Sequence, residues 1–444
     1  MSYIPHTDLD RQQMLAAIGV TTIEDLFDAV PASHRFPKLN LPDALSEMEI
    51  AAEMQALSDA NAHAGDYTIF RGAGAYHHFV PSAVNHILLR GEFYTAYTPY
   101  QPELSQGTLQ ATFEYQSMMC ALTGMDAANA SHYDGATSLA EAVTVALEVG
   151  RMKRKRIVLS PFIHPQYREV VRTYHQGRVL DIVGDDQPRT TAELVELLDT
   201  NTAMLAVQYP DFLGNIEDMQ MLSQKAHAVG ALFVMVVNPL ALAILKSPAD
   251  FGADIAVGEA QALGVGLQYG GPYLGFFSVR NEYVRKIAGR IVGETLDADG
   301  RRAYVMTLRP REQDIKRDKA TSNICTNQGL MALAACVHMA LLGKNGLQQV
   351  AKLCYHKAHY AAAQIGKLNG FSIVNQKPFF HEFMVKCPRP VAEINAALID
   401  EGIVGGYDLG QDYPHLKDHM LLAVTETNSK AEIDALVSIL EALS

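Results

Sequence analysis

The sequence predicts an α/β fold with a mainly parallel sheet covered on both faces, followed by a separate C-terminal α+β domain. Two observations carry this. Beyond Ser131, short β-rich runs alternate with helical patterns, and strict β-α-β-α order places helices over a parallel sheet. After Lys319, an apolar helical stretch leads into two further candidate strands, Phe371–Val374 and Phe383–Val385, which read as a domain of their own.

In chain order, the first 90 residues read as an arm of helices joined by loops. Its segments are Gln12–Ile18, then Ile23–Val30 ended by Pro31, then Ala44–Asp59. The sheet strands are expected at Arg156–Ser160, Arg178–Val183, Met204–Tyr209, Leu232–Val237, Ile255–Val257 and Leu274–Val279. Helical patterns lie between them at Gln166–His175, Thr191–Leu198 and Asp218–Val229. The expected division is an N-terminal arm over 1–90, a large α/β domain over 91–318, and an interdomain helix with a small domain over 319–444.

Bulk properties exclude several functions. Hydrophobic residues make up 48% of the 444 and charged residues 19%, a balance that supports a packed fold and not a disordered chain. A formal charge of -13 argues against nucleic-acid binding, which needs a basic surface. The start, MSYIPHTDLD, lacks the basic and then apolar run of a signal peptide, so a cytoplasmic protein is expected. The run Leu330–Leu342 is shorter than the roughly 20 residues that span a bilayer, so it reads as a buried helix and no membrane is expected. Cys120, Cys325, Cys336, Cys354 and Cys387 are scattered and without Cys-x-x-Cys spacing; they read as reduced and structural, with no metal.

Five segments carry candidate chemistry. Phe93–Gly107 (FYTAYTPYQPELSQG) joins Tyr94, Tyr97, Tyr100 and Gln101 to two prolines, either as a rigid loop that positions a small polar ligand or as a packing loop. Asn129–Ser138 brings Asp134, Gly135, Thr137 and Ser138 to the start of the helical segment Leu139–Glu148. Such a start offers N–H groups and hydroxyls to an anion, or caps its own helix. His164 follows one strand and Asn238 another; these positions suit stacking on a cofactor ring and facing its pyridine nitrogen, or else beginning a helix and capping a turn. The fifth is the glycine-rich hinge Gly258–Pro272 (GEAQALGVGLQYGGP). Two basic clusters accompany them: Arg151–Arg156, suited to a helix C-terminus, and Arg301–Lys319, suited to steering an acidic partner or to solvated surface.

YTPYQPELSQG, NASHYDGATSLAEA, QYGGPYLGFF and RDKATSNICTNQ, in this order and over nearly the whole chain, resemble the first half of the glycine decarboxylase family, the P-protein of the glycine cleavage system. The length resembles the separate first subunit of the two-subunit form. The resemblance implies a fold-type-I pyridoxal-phosphate-dependent transferase-like fold, with a seven-stranded sheet in the large domain. In the catalytic half of that family a lysine before the glycine-rich hinge forms the Schiff base; counting back from the shared Gly-Gly-Pro, this chain has Gln261 there, and glutamine forms no imine. The pyridinium partner, an Asp in the family, corresponds to Asn238, a neutral amide. Lys246 and Lys319 are poorly placed to substitute.

The resemblance therefore implies no catalytic residue acting in this chain alone. Pyridoxal phosphate would be held covalently by the second subunit in an α2β2 enzyme. That enzyme decarboxylates glycine and passes the aminomethyl group to the lipoyl group of the H-protein. Tyr94, Tyr97, Tyr100 and Gln101 are expected at the interface, toward glycine or the lipoyl arm. Thr321, Ser322 and Asn323 are expected to reach the partner's cofactor phosphate. Asp134, Gly135, Thr137, Ser138, His164, Asn238 and Gln261 would form a degenerate cofactor pocket. The competing reading is a noncatalytic structural or regulatory subunit of the same complex.

Overall fold

The computed structural model describes residues 5–325 and 328–444. Met1–Ile4, from the N-terminal stretch, and Thr326–Asn327, from the motif RDKATSNICTNQ, lie outside the described residues.

The chain divides into two units, one ending at Ala62 and the other beginning at His63. In the first, helices Asp8–Ile18 and Glu47–Asp59 each begin with a capping box, Thr7 with Asp10 and Ser46 with Glu49. The helix expected over Ile23–Val30 is a single 3₁₀ turn, Glu24–Phe27, because the Asp25 carboxylate draws in the N–H groups of Thr21 and Thr22 and Pro31 closes the other end. Neither helix buries a residue, and Leu9, Ile18, Met48 and Met54 are exposed. The expected arm over 1–90 is longer than this unit. Residues 63–90 belong to the second, since Phe70 and Val84 are fully buried and Thr68–Ile69 pairs in parallel with Ile403–Val404.

The second unit is organised by a seven-stranded sheet among the described residues: β1 (Ala127–Ala128), β2 (Arg156–Leu159), β3 (Asp181–Val183), β4 (Thr202–Tyr209), β5 (Leu232–Val237), β6 (Ile255–Glu259) and β7 (Gly275–Val279). The order is β1-β7-β6-β5-β4-β2-β3; β2 to β6 are mutually parallel, and β7 runs antiparallel to both β6 and β1. All six residues of β5, LFVMVV, are buried, as a central parallel strand covered on both faces requires. Side chains alternate between two cores. Phe233, Met235 and Phe276 face one, with Met119 and Met339; Val234, Val257 and Phe277 face the other, with Leu139, Val143 and Leu147.

Four helices matter for the site. They are α1 (Gln106–Thr123), α2 (Gly135–Val149), α3 (Pro165–His175) and α4 (Gly329–Ile365). The sequence-predicted helix around Leu330–Leu342 is the first part of α4, whose 37 residues are long and apolar enough to cross a membrane by composition. Its apolar face is instead core. Ala335, Met339 and Leu347 pack with α1 residue Met119, while Ala358, Ala361 and Ile365 pack with Phe383 and Leu422 of a second sheet. Gly343, at φ 58 and ψ -174, breaks the helix between those two packing zones, a conformation that favours glycine. The second sheet is antiparallel, in the order Ser372–Ile373, Glu382–Lys386, His419–Ala423, Tyr407–Asp408. A hairpin, Ile291–Leu296 with Arg302–Thr307, projects beyond the first sheet.

A buried cluster ties these parts together. His78 Nδ1 and Glu426 Oε2 are 2.7 Å apart, Cys354 Sγ of α4 lies 3.3 Å from the same oxygen, and the Phe79 N–H donates to the other at 2.7 Å. Burial pushes the Glu426 carboxyl up, but the His78 contact and the Phe79 N–H outweigh it and hold Glu426 at about 2. A carboxyl held below its unfolded value of about 4.3 contributes stability above that value and loses it as pH falls through the folded one. Denaturant unfolding should therefore show wild type losing more stability than Glu426→Gln between pH 5 and pH 3; equal losses would mean that the pair contributes nothing.

Candidate functional site

In a parallel sheet the carboxyl ends of the strands and the N-termini of the following helices meet at one edge, where ligands gather. At that edge lie His164 after β2, Gln208 at the end of β4, Asn238 after β5 and Glu259 at the end of β6. Gly135 opens α2 beside them. The sequence-predicted residues Asp134, Gly135, His164, Asn238 and Gln261 thus come together, with Thr137 and Ser138 on the first turn of α2.

Each is already engaged. Asp134 caps α2: its Oδ1 accepts from the Thr137 N–H at 2.7 Å, while the hydroxyls of Thr137 and Ser138 donate back to Asp134. Of the two uses open to this segment, its own capping takes these groups. Asn238 Oδ1 accepts from the Leu240 N–H at 3.0 Å and so caps a turn. Gln261, 1% exposed, bonds at both ends of its amide: Oε1 accepts from the Tyr76 N–H at 2.9 Å, and Nε2 donates to the carbonyls of Tyr76 at 2.9 Å and Val265 at 2.7 Å. His164 Nδ1 accepts from the Gln166 N–H, which leaves Nε2 to donate to the Ala73 carbonyl at 2.9 Å. Burial pushes this imidazole down to about 4, so it is neutral at physiological pH.

Two residues that the sequence reading missed complete the cluster. The ring of Tyr167, one turn into α3, lies on that of His164 with centroids 4.8 Å apart and planes 14° from parallel. Its hydroxyl reaches Gly135, where any β-carbon would collide with it. Glu259 takes three backbone donors on its two oxygens: Gly135 N–H on Oε2 at 3.1 Å, and Leu274 and Gln261 N–H on Oε1 at 2.8 and 3.0 Å. Desolvation pushes this carboxyl up to about 7 against those donors. Close by, Glu382 accepts from the Tyr76 hydroxyl at 2.7 Å and from the Ala73 N–H, and burial likewise takes it to about 7. The only sequence signal for Glu259 was its place two residues before Gln261; for Tyr167, its place three after His164.

The tyrosine loop forms a different site. Phe93, Tyr94, Tyr97 and Thr98 border an apolar cavity of about 230 Å³, closed by Val292 and Met306 of the hairpin and Leu333 of α4, with Arg290 at its polar side. Tyr94 and Tyr97 are 66% and 73% exposed, and Gln101 is exposed. Tyr100 turns inward, where its hydroxyl accepts from buried Arg290 at 3.0 Å and its ring lies under the guanidinia of Arg290 and Arg309. Thr321 and Asn323 are exposed, whereas Ser322 donates to the buried Glu141 of α2 at 2.7 Å. The basic clusters also resolve. Arg154 donates to the carbonyls of Thr202 and Val229, and Arg156 to Asp181 and Asp199. Arg311 is committed to backbone carbonyls, which leaves Arg301, Arg302, Lys316, Arg317 and Lys319 exposed.

A mainly parallel seven-stranded sheet joined through a long helix to a small antiparallel domain, with the polar cluster at its carboxyl edge, defines the fold class of the fold-type-I pyridoxal-phosphate transferases. A sphingosine-1-phosphate lyase from Burkholderia pseudomallei shares that fold, with a TM-score of 0.65 over 93% of this chain and 94% of its own at 15% identity. The sequence pattern of the glycine cleavage system P-protein matches residues 1–440, and the chain belongs to that family. A probable glycine dehydrogenase (decarboxylating) subunit 1 from Thermomicrobium roseum is 51% identical over 444 residues, 99% of either chain. A crystal structure of glycine decarboxylase (P-protein) of the glycine cleavage system, in inhibitor-bound form, superposes with a TM-score of 0.90 at 39% identity and full coverage of both chains.

The residues at the sheet edge do not fit the cofactor of this fold class. No lysine lines the remaining space among the described residues, which amounts to about 40 Å³, far below the roughly 300–1,000 Å³ of pockets that hold ligands of such size. Glu259 supplies a test of the local electrostatics. A carboxyl raised to about 7 contributes stability below its unfolded value and loses it as pH rises through 7. The melting temperature of Glu259→Gln minus that of wild type should therefore increase from pH 5 to pH 8; a flat difference would mean that the three N–H donors fully offset the desolvation of the carboxyl.

Proposed function

We propose that this chain is the subunit of a two-subunit glycine decarboxylase that completes the partner's active site without holding the cofactor itself. The observation that carries the proposal is the apolar cavity of about 230 Å³ behind the tyrosine loop, a second concave site distinct from the filled edge of the sheet. In the proposed α2β2 enzyme of the cytoplasm, the second subunit binds pyridoxal phosphate covalently. When bound there, that cofactor supplies an electron sink for the carbanion left by loss of carbon dioxide from glycine. The aminomethyl group then passes to the lipoyl group of the H-protein.

The residues of this chain bind and orient. The walls formed by Phe93, Val292, Met306 and Leu333 suit the hydrocarbon arm of a lipoyl group, and they keep water from it. Tyr94, Tyr97 and Gln101 lie on the exposed side and offer polar contacts to the arm or to glycine. Tyr100 works one step behind them: it fixes the Arg290 guanidinium, whose charge suits the glycine carboxylate. Thr321 and Asn323 are free to face a neighbour and reach its cofactor phosphate. Ser322 contributes through the shape of that loop, since its hydroxyl holds Glu141 and accepts from the Ile324 N–H at 3.0 Å. The exposed bases between Arg301 and Lys319 suit the approach of an acidic carrier.

Glycine–bicarbonate exchange by reconstituted αβ enzyme tests this reading. Tyr100→Phe, which keeps the ring but removes the acceptor for Arg290, should lower turnover about tenfold, the scale of one hydrogen bond to a charged group. Subunit association should be unchanged. Wild-type turnover in Tyr100→Phe and in Tyr97→Phe would assign the chain to a purely structural role.

A further inference from the structure

We infer that Tyr167 and Glu259 stand in for the ring and the phosphate of pyridoxal phosphate, so that this chain is closed to the cofactor by its own side chains and not only by the missing lysine. The inference rests on the family reading above, which assigns the sheet edge as the cofactor's place in the fold class.

Three parts of the cup are filled by three different elements. On the ring side, the Tyr167 phenol takes the parallel position over His164 that an aromatic cofactor would occupy, at a spacing of 4.8 Å and 14°. On the anion side, the Gly135 N–H at the start of α2 already has a carboxylate oxygen at 3.1 Å. The second oxygen of the same Glu259 holds the Leu274 and Gln261 N–H groups at 2.8 and 3.0 Å. An incoming phosphate would have to take the same donors, which the Glu259 oxygens already fill. On the lysine side, the Gln261 amide makes three hydrogen bonds, two of which fasten the segment at Tyr76 over the cup, where the Ala73 carbonyl also meets His164. The collision that any β-carbon at Gly135 would make with the Tyr167 hydroxyl shows how closely the ring is seated.

The replacement is chemically economical. A helix N-terminus at the end of a parallel sheet needs a negative partner, and a stacked imidazole needs an aromatic face. A cofactor supplies both in one molecule; here a carboxylate from β6 and a phenol from α3 supply them separately. The subunit keeps the sheet edge packed with no small molecule bound. An amine restored at position 261 is therefore insufficient for cofactor binding.

The full chain, titrated with pyridoxal phosphate and followed by absorbance and by borohydride fixation, tests this. Covalent capture requires an unprotonated amine at position 261 to attack the cofactor aldehyde carbon and lose water, and burial favours the unprotonated amine. Wild type should form no fixed adduct at the sheet edge, where no lysine lines the space among the described residues, and Gln261→Lys should be fixed at residue 261 only weakly. Gln261→Lys combined with Tyr167→Ala and Glu259→Ala should capture the cofactor at least about tenfold more tightly than Gln261→Lys alone. Capture by Gln261→Lys equal to that of the triple variant would overturn the inference and leave the proposed function standing, as would a folded triple variant that captures nothing. Capture by wild type on a lysine that reaches the sheet edge would instead overturn the proposed function. If the triple variant does not fold, Glu259→Ala alone decides the matter through phosphorus NMR with inorganic phosphate: binding absent in wild type and gained in the variant is expected, and no gain refutes the stand-in role.

Discussion

The Gly135 N–H at the start of α2 has no backbone acceptor, and the sheet edge calls for an oxygen from elsewhere in the chain to meet it. Glu259 does so from the end of β6. The same carboxylate also gathers the N–H groups of Gln261 and Leu274, which open and close the glycine-rich hinge. One side chain thereby fixes the relation between α2, β6 and the return into β7. Gln261 then ties the hinge to Tyr76, and Tyr76 to Glu382 of the small sheet. A chain of polar contacts thus runs from β6 to the C-terminal domain through the groups that fill the sheet edge.

Much of this was legible in the sequence, and the reasons for success and failure are physical. β2 to β6 announced themselves because a parallel strand covered on both faces reads as an unbroken apolar run, as LFVMVV does. β1 has two alanines and gave no such signal. The hairpin from Ile291 to Thr307 was missed because half of its first strand, Glu294–Leu296, is exposed and the strand pairs only locally. Gln261 and Asn238 could be marked directly, since each is a property of one position. The role of Glu259 could not. A glutamate in a glycine-rich hinge reads as solvated, and only the meeting of two elements more than a hundred residues apart turns it into the acceptor for a helix start. The same holds for Tyr167, which α3 folds back onto a residue that the sequence had already marked.

The two concave sites divide the labour differently from what the motifs alone implied. Thr137 and Ser138 at the helix start are committed to their own cap, while the tyrosine loop keeps two of its rings exposed beside an apolar hollow. Arg290 belongs to neither motif, yet it anchors the loop through Tyr100 and sits against Glu312. A loop of four aromatics is rigid only when one of them is tied down, and Tyr100 is the one that is.

The parallel pairing of Thr68–Ile69 with Ile403–Val404 joins residues made early to residues made near the end of the chain. During synthesis, Phe70 emerges long before the strands and helices that bury it, and its cluster draws on Leu422 and Leu436. The larger unit therefore stays open at one side until the ribosome has almost finished. For that interval the newborn chain displays apolar surface that the mature fold hides.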